Sequence, residues 1–215
     1  MKNKLLVIIA TAALVVVCGA CTADLTPDGT PYTFTNPSPG EVIVTAAPTA
    51  GGNNREAFWS ANAPTEPDPV VCATFASGTG LDQQGIVLRR EGEDELTVTR
   101  NVIYDDFQTF NFHIWSGPTY TLFAQFSLTF LPYAPATYPL NICATITGDT
   151  MEFVVWTAGQ TQPPWGSTTQ GGSATLPASA PPTGQEGWFA GHIVPGTSST
   201  YTNLTVDGVP LTGGV

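Results

Sequence analysis

The chain has 215 residues, 42% of them apolar, with 17 acidic residues against six Lys and Arg and a formal charge of −11. That balance lacks the clustered cations that a nucleic-acid backbone or an anionic lipid surface demands, which excludes both as partners reached through charge. The 19 prolines and 22 glycines leave little room for helices, and the length suits one domain with a sizeable core.

Lys2 and Lys4 precede an apolar run over residues 5–17, which is followed by Cys18-Gly19-Ala20-Cys21. A cationic start, about 13 apolar residues and a small-residue exit fit an export signal and fall short of the ~20 apolar residues of a membrane span. With its cysteine directly after Gly19-Ala20, the segment resembles a bacterial lipoprotein signal, although Cys18 stands where such signals usually carry Leu. The resemblance implies removal of residues 1–20, acylation of Cys21 as the first mature residue, and attachment to the membrane outside the cytoplasm. Ordinary secretion and an uncleaved anchor are the alternatives. Both lysines fall in the signal, so the remainder sets Arg55, Arg89, Arg90 and Arg100 against every acidic residue, a formal charge of about −13. Lysine-free and rich in Ala, Thr, Gly and Pro, that remainder looks like a surface lipoprotein of the actinobacterial type.

Residues 21–52 carry Pro27, Pro31, Pro37, Pro39 and Pro48 among many Thr, Gly and Ala. Such a composition buries too little apolar surface to offset its ordering entropy, so it predicts a flexible tether from Cys21, with 41–46 a candidate edge strand. Residues 53–215 form the predicted domain. From Arg55 onward, β-branched and aromatic runs alternate with Gly, Pro, Asp and Asn clusters, the pattern of an all-β domain. Strands are expected over 70–76, 85–90, 96–102, 109–115, 120–130, 141–147, 151–158, 187–194 and 200–206. The run Arg90-Glu91-Gly92-Glu93-Asp94-Glu95 and the turn Thr147-Gly148-Asp149 read as hairpin tips. The acidic cluster Glu91, Glu93, Asp94 and Glu95 reads as a solvated loop, with a metal site the rival. Residues 160–185 form one long irregular segment, either a rim over a site or plain disorder.

Outside the signal, Cys72 and Cys143 are expected to pair in an oxidising compartment. Closing about 70 residues in this way stabilises the fold by roughly 4 kcal/mol in the chain-entropy model. A catalytic thiol served by His113 or His192 is the rival reading.

Alternation along 109–115 turns Phe110, Phe112 and Ile114 to one face and Asn111, His113 and Trp115 to the other. The first set reads as core. The second combines an amide, an imidazole and an indole, groups suited to meeting sugar hydroxyls and stacking on a sugar's apolar face. Glu152 and Trp156 share one side of their strand. If that strand neighbours the first, they extend the same groove, and Gln125 joins from 120–130. The alternative is an ordinary second core layer.

The order of short strands, the segment 110–115 and the ending Gly187-Trp188-Phe189-Ala190-Gly191-His192-Ile193-Val194-Pro195-Gly196, then Tyr201-Thr202-Asn203-Leu204-Thr205-Val206-Asp207-Gly208, resemble the concanavalin A-like lectin/glucanase jelly roll, laminin-G-type domains included. The likeness spans residues 55–211. It implies an antiparallel two-sheet sandwich whose concave face binds glycans in many members. A calcium ion would fit that family, with Asp82, Asp105 or Asp149 as contributors; no other cofactor is expected. Hydrolases of the fold carry Glu-x-Asp-x-x-Glu on one strand, and this chain has no such motif. It also has no Gly-x-Ser-x-Gly, His-Glu-x-x-His or phosphate-binding loop.

The expectation is therefore a lipid-anchored, extracytoplasmic domain that binds polysaccharide or another envelope component through Asn111, His113, Trp115, Gln125, Glu152 and Trp156. A glycoside hydrolase or lyase, and a non-catalytic module that binds an envelope protein, are the alternatives.

Overall fold

The structure, a computed structural model, describes residues 21–26, 28–60, 65–102 and 106–211. The proposed signal, with Cys18, and the calcium candidate Asp105 lie outside them. Antiparallel strands form two sheets. The seven-stranded sheet runs β1 (Cys21–Thr26), β4 (Arg55–Trp59), β13 (Gly187–Gly191), β6 (Gln83–Glu91), β7 (Asp94–Arg100), β8 (Thr109–Ser116) and β9 (Thr119–Ser127). The eight-stranded sheet runs β12 (Gly171–Thr175), β11 (Thr150–Thr157), β10 (Leu140–Thr147), β5 (Val70–Ser77), β14 (Ser198–Val206), β3 (Val42–Thr45) and β2 (Thr33–Thr35), with β15 (Val209–Pro210) paired to β14.

Period-2 patterning puts one face of each sheet into a shared core. Phe110 and Phe112 of β8 meet Phe153 of β11 at ring distances of 5.2 and 5.5 Å, while Phe58, Trp188, Tyr201 and Phe75 form a second aromatic group. Each fully buried aromatic contributes on the order of 2–3 kcal/mol. Tight hairpins connect neighbours. Gly92, Gly117 and Gly148 take positive φ in the β6–β7, β8–β9 and β10–β11 turns, the conformation two-residue hairpins require. Cys72 and Cys143 face each other across β5 and β10 and are bonded. The bond removes the catalytic-thiol reading and points to an extracytoplasmic compartment.

Three expectations are corrected. Residues 21–52, read as a flexible tether, contribute β1, β2 and β3, and bury Leu25, Tyr32, Val42, Val44 and Ala46. Their few apolar residues suffice because the sheets already present edges to pair with, and the Tyr32 hydroxyl donates to the Asn54 carbonyl. Glu95 is not part of a solvated tip. Glu91, Glu93 and Asp94 are exposed, but Glu95 is 1% exposed on β7, paired with Arg90 at 3.1 Å. Residues 160–185 are not uniformly irregular, since β12 lies within them. Gly171 and Gly172 open that strand because a Cβ there would overlap the Phe153 carbonyl and the Phe126 ring, so its sequence lacks the bulky residues that mark a strand.

Candidate functional site

The outer face of the seven-stranded sheet carries a recess of about 340 Å³. Its floor follows the register of the strands. Gln125 of β9 stands opposite Asn111 of β8, which stands opposite Thr99 of β7; one step along, Leu122, His113 and Thr97 form the next row, and Tyr120, Trp115 and Glu95 the next. Arg55 of β4, Gln83 of β6 and His192 close one side, and Asp106 and Tyr133 contribute to the wall. A second, more apolar recess of about 330 Å³ adjoins it and shares Val102 and His192. Four of the seven exposed large hydrophobic side chains among the described residues, Leu81, Tyr120, Leu122 and Tyr133, rim these two recesses.

The floor is a wired network. Gln125 Nε2 donates to Asn111 Oδ1 at 2.8 Å, leaving the Asn111 amide hydrogens and the Gln125 carbonyl oxygen for a ligand. Arg55 Nε donates to Gln83 Oε1 at 3.2 Å, and Gln83 Nε2 donates to Thr99 Oγ1 at 3.2 Å. The Thr99 hydroxyl in turn hydrogen-bonds His113 Nδ1 at 3.4 Å, as donor or acceptor according to the imidazole tautomer. Arginine only donates, so Arg55 fixes His192 as acceptor at Nε2, 2.7 Å away, and His192 Nδ1–H donates to the Gly52 carbonyl at 3.0 Å. His192 has φ 52°, a left-handed conformation uncommon for a non-glycine residue. Burial, helped by the Arg55 charge, pushes His113 down to about 4 and lowers His192 as well. Both imidazoles are neutral at physiological pH. Burial also lowers Arg55, which lies 5.7 Å from the Trp115 ring.

Of the residues expected from the sequence, Asn111, His113, Trp115 and Gln125 come together here. Trp115, however, is 1% exposed, donates its indole N–H to Thr97 Oγ1 at 3.2 Å and lies beneath Tyr120 at 4.9 Å. It is floor; the exposed aromatic surfaces belong to Tyr120 (55%) and Tyr133 (51%). Glu152 and Trp156 do not join the group. β8 and β11 face each other across the core through their phenylalanines, so their alternate residues point out of opposite sides of the sandwich. Glu152 accepts from the Gly166 N–H at 2.9 Å on that other side.

A β-bulge hides Tyr120 and Leu122 from the alternation of the sequence. Strict alternation from Gln125 turns Phe123 outward, yet an irregularity between Phe112 and His113 sends Phe123 inward onto Phe112 and brings Leu122 and Tyr120 to the recess. Arg55, Gln83 and His192 come from distant strands and carried no local signal. Of the calcium candidates, Asp82 and Asp149 do not combine. Asp82 is buried and accepts from the Thr79 hydroxyl and N–H, whereas Asp149 lies in the β10–β11 turn, near the opposite end of β5. Among the described residues no three His, Cys, Asp or Glu side chains converge on a metal position.

The fold is an all-β sandwich of two antiparallel sheets, and it is similar to the concanavalin A-like lectin fold of two solved structures. The carbohydrate-binding module CBM66 from Bacillus subtilis is 11% identical, with 85% of this chain and 98% of that chain covered and a TM-score of 0.52. The VIP36 exoplasmic/lumenal domain in its Ca2+/Man3GlcNAc-bound form is 12% identical, with coverage of 83% and 84% and a TM-score of 0.56. No protein-family model matches the chain, and no curated protein matches it in sequence.

Proposed function

We propose that this domain binds a neutral carbohydrate in the recess of the seven-stranded sheet and is held at the outer surface of the membrane through an acylated Cys21. The observation that carries the reading is the rim of exposed Tyr120, Leu122 and Tyr133 above a floor of amides and neutral imidazole. Exposed aromatics stack on the C–H face of a sugar while Asn111, Gln125 and the His113 imidazole meet its hydroxyls. A volume of about 340 Å³ falls within the ~300–1,000 Å³ of small-molecule sites. The two fold neighbours support the ligand class, one being a carbohydrate-binding module and the other carrying Man3GlcNAc.

Binding is favoured over hydrolysis by the lining itself. A retaining glycosidase places two carboxyl groups ~5 Å apart, and among the described lining residues the recess offers one carboxylate, Asp106. The anchor reading rests on Cys21, which lies outside the disulfide and opens β1 opposite Trp59. With no tether between them, the acyl chains would leave directly from the edge of the sandwich.

Glycan-array binding of the full domain, compared with Tyr120→Ala and Asn111→Ala, tests the recess. Loss of binding by tenfold or more with unchanged thermal unfolding is expected. Unchanged binding in both variants sinks the site, and release of reducing ends that disappears in Asp106→Asn would replace binding with catalysis. Metabolic fatty-acid labelling that vanishes in Cys21→Ala tests the anchor.

A further inference from the structure

The outer face of the eight-stranded sheet, on the far side of the sandwich, has its own recess of about 300 Å³. The register lays a lateral row across four strands: Trp156 of β11 opposite Asn141 of β10, Asn141 opposite Thr74 of β5, and Asn203 of β14 beyond. Neighbouring strands are ~4.8 Å apart, so the row spans about 14 Å from indole to amide.

Its polar groups are oriented. Asn203 Nδ2 donates to Thr74 Oγ1 at 3.0 Å, and the Thr74 hydroxyl donates to Asn141 Oδ1 at 2.6 Å. The chain runs one way and leaves the Asn141 amide hydrogens and the Asn203 carbonyl oxygen as a donor and an acceptor at the recess. Asn203 lies where the pairing of β14 with β5 is irregular. It adopts φ 53°, and the next residue is pinned by Leu204 N–H to the Gly40 carbonyl at 3.1 Å and by Leu211 N–H to the Leu204 carbonyl at 2.8 Å. A left-handed asparagine within a strand is a local departure from regular pairing. The bulge keeps Tyr201 and Leu204 both in the core while it leaves the Asn203 amide on the outer face.

From these observations we infer that Trp156, Asn141 and Asn203 form a second carbohydrate-binding site, on the face opposite the first, and that the domain is bivalent. The ligand class is again a neutral sugar: no Lys, Arg, His, Asp or Glu lines the recess, and its polar groups are amides and hydroxyls, set beside one half-buried indole and the Cys72–Cys143 disulfide. Two sites on opposite faces let one domain bridge two glycan chains, which a single recess cannot do.

Affinity electrophoresis through gels containing mannan, β-1,3-glucan, xylan or cellulose derivative tests this with the intact domain. Four forms are compared: the parent, Tyr120→Ala, Trp156→Ala and the double variant. On the gel that retards the parent, Trp156→Ala should weaken binding about tenfold with unchanged thermal unfolding, Trp156→Tyr should restore it by preserving a stacking ring, and the double variant should run freely. Asn141→Ala gives an independent reading should Trp156→Ala lower stability. Loss of all retardation in Tyr120→Ala together with parental retardation in Trp156→Ala and Asn141→Ala overturns the second site and leaves the first. Parental retardation in Tyr120→Ala with loss in Trp156→Ala upholds the second site and sinks the first. No retardation of the parent on any of the gels overturns both.

Discussion

Glu95 shows what a single side chain experiences on the outer face of the seven-stranded sheet. It lies in the patch formed by Leu25, Trp59, Val87, Trp115 and Phe189, and Arg90, itself 4.2 Å above the Trp59 ring, is its ion-pair partner. Burial pushes its carboxyl from 4.5 up to about 7, and Arg90 draws it back only in part. A carboxyl raised by folding holds its proton more tightly in the folded state. Its contribution to stability is therefore full below the unfolded value and is lost as pH climbs through about 7. Glu95→Gln should match the parent in urea unfolding near pH 4 and exceed it at pH 8 by about 3 kcal/mol; a difference independent of pH would refute this. His113 makes the complementary case. Because burial holds it down to about 4, carbohydrate affinity at the recess should be level from about pH 5.5 to about pH 8, and a fall across the ordinary histidine range would show that the imidazole is solvated. Neither environment is legible locally. Glu95 sits in a run of acids that reads as solvent-facing, and only its pairing with Trp115 and Arg90 reveals the burial.

The elements divide by how much of their evidence is local. β5, β6, β7, β8, β10, β11 and β14 are rich in branched and aromatic residues, and their alternation and hairpin glycines suffice to find them. β1, β2 and β12 are edge strands made largely of Thr, Gly, Ala and Ser, and what makes them strands is a neighbour with free backbone groups. β1 also carries a packing role, since Leu25 is fully buried in the outer patch with Trp59 and Phe189. Leu25→Ala should cost about 2–5 kcal/mol in denaturant unfolding. A loss below about 0.5 kcal/mol, the range of surface substitutions, would restore the tether reading of this segment.

At the scale of the molecule, the sandwich presents two outer faces with similar chemistry and a strongly acidic body. The far recess has no charged lining, and the first sets one basic residue, Arg55, against one acidic residue, Asp106, so net charge does little to drive association. Retardation by a neutral polysaccharide should change by less than about twofold between low and high salt, whereas a ligand captured through Arg55 as an anion would weaken steeply over the same range. The Cys72–Cys143 bond ties β5 to β10 in the eight-stranded sheet. Replacing both with serine should lower stability by about 2–4 kcal/mol, read as an earlier thermal transition, with the seven-stranded recess still formed.

Composition, alternation and turn residues by themselves determined the all-β class, the core face of β8, and the pairing of the two cysteines. These depend on periodicity and on the redox compartment, and both are local or global properties of a string of residues. Which side of the molecule each outer face occupies was decided by tertiary structure alone. Asn111 and Trp156 belong to strands with the same pattern, and they part company because Phe110, Phe112 and Phe153 turn toward one another across the core. The bulge that brings Tyr120 and Leu122 to the recess, and the convergence of Arg55, Gln83 and His192 beside them, likewise arise only when strands distant in sequence are hydrogen-bonded side by side.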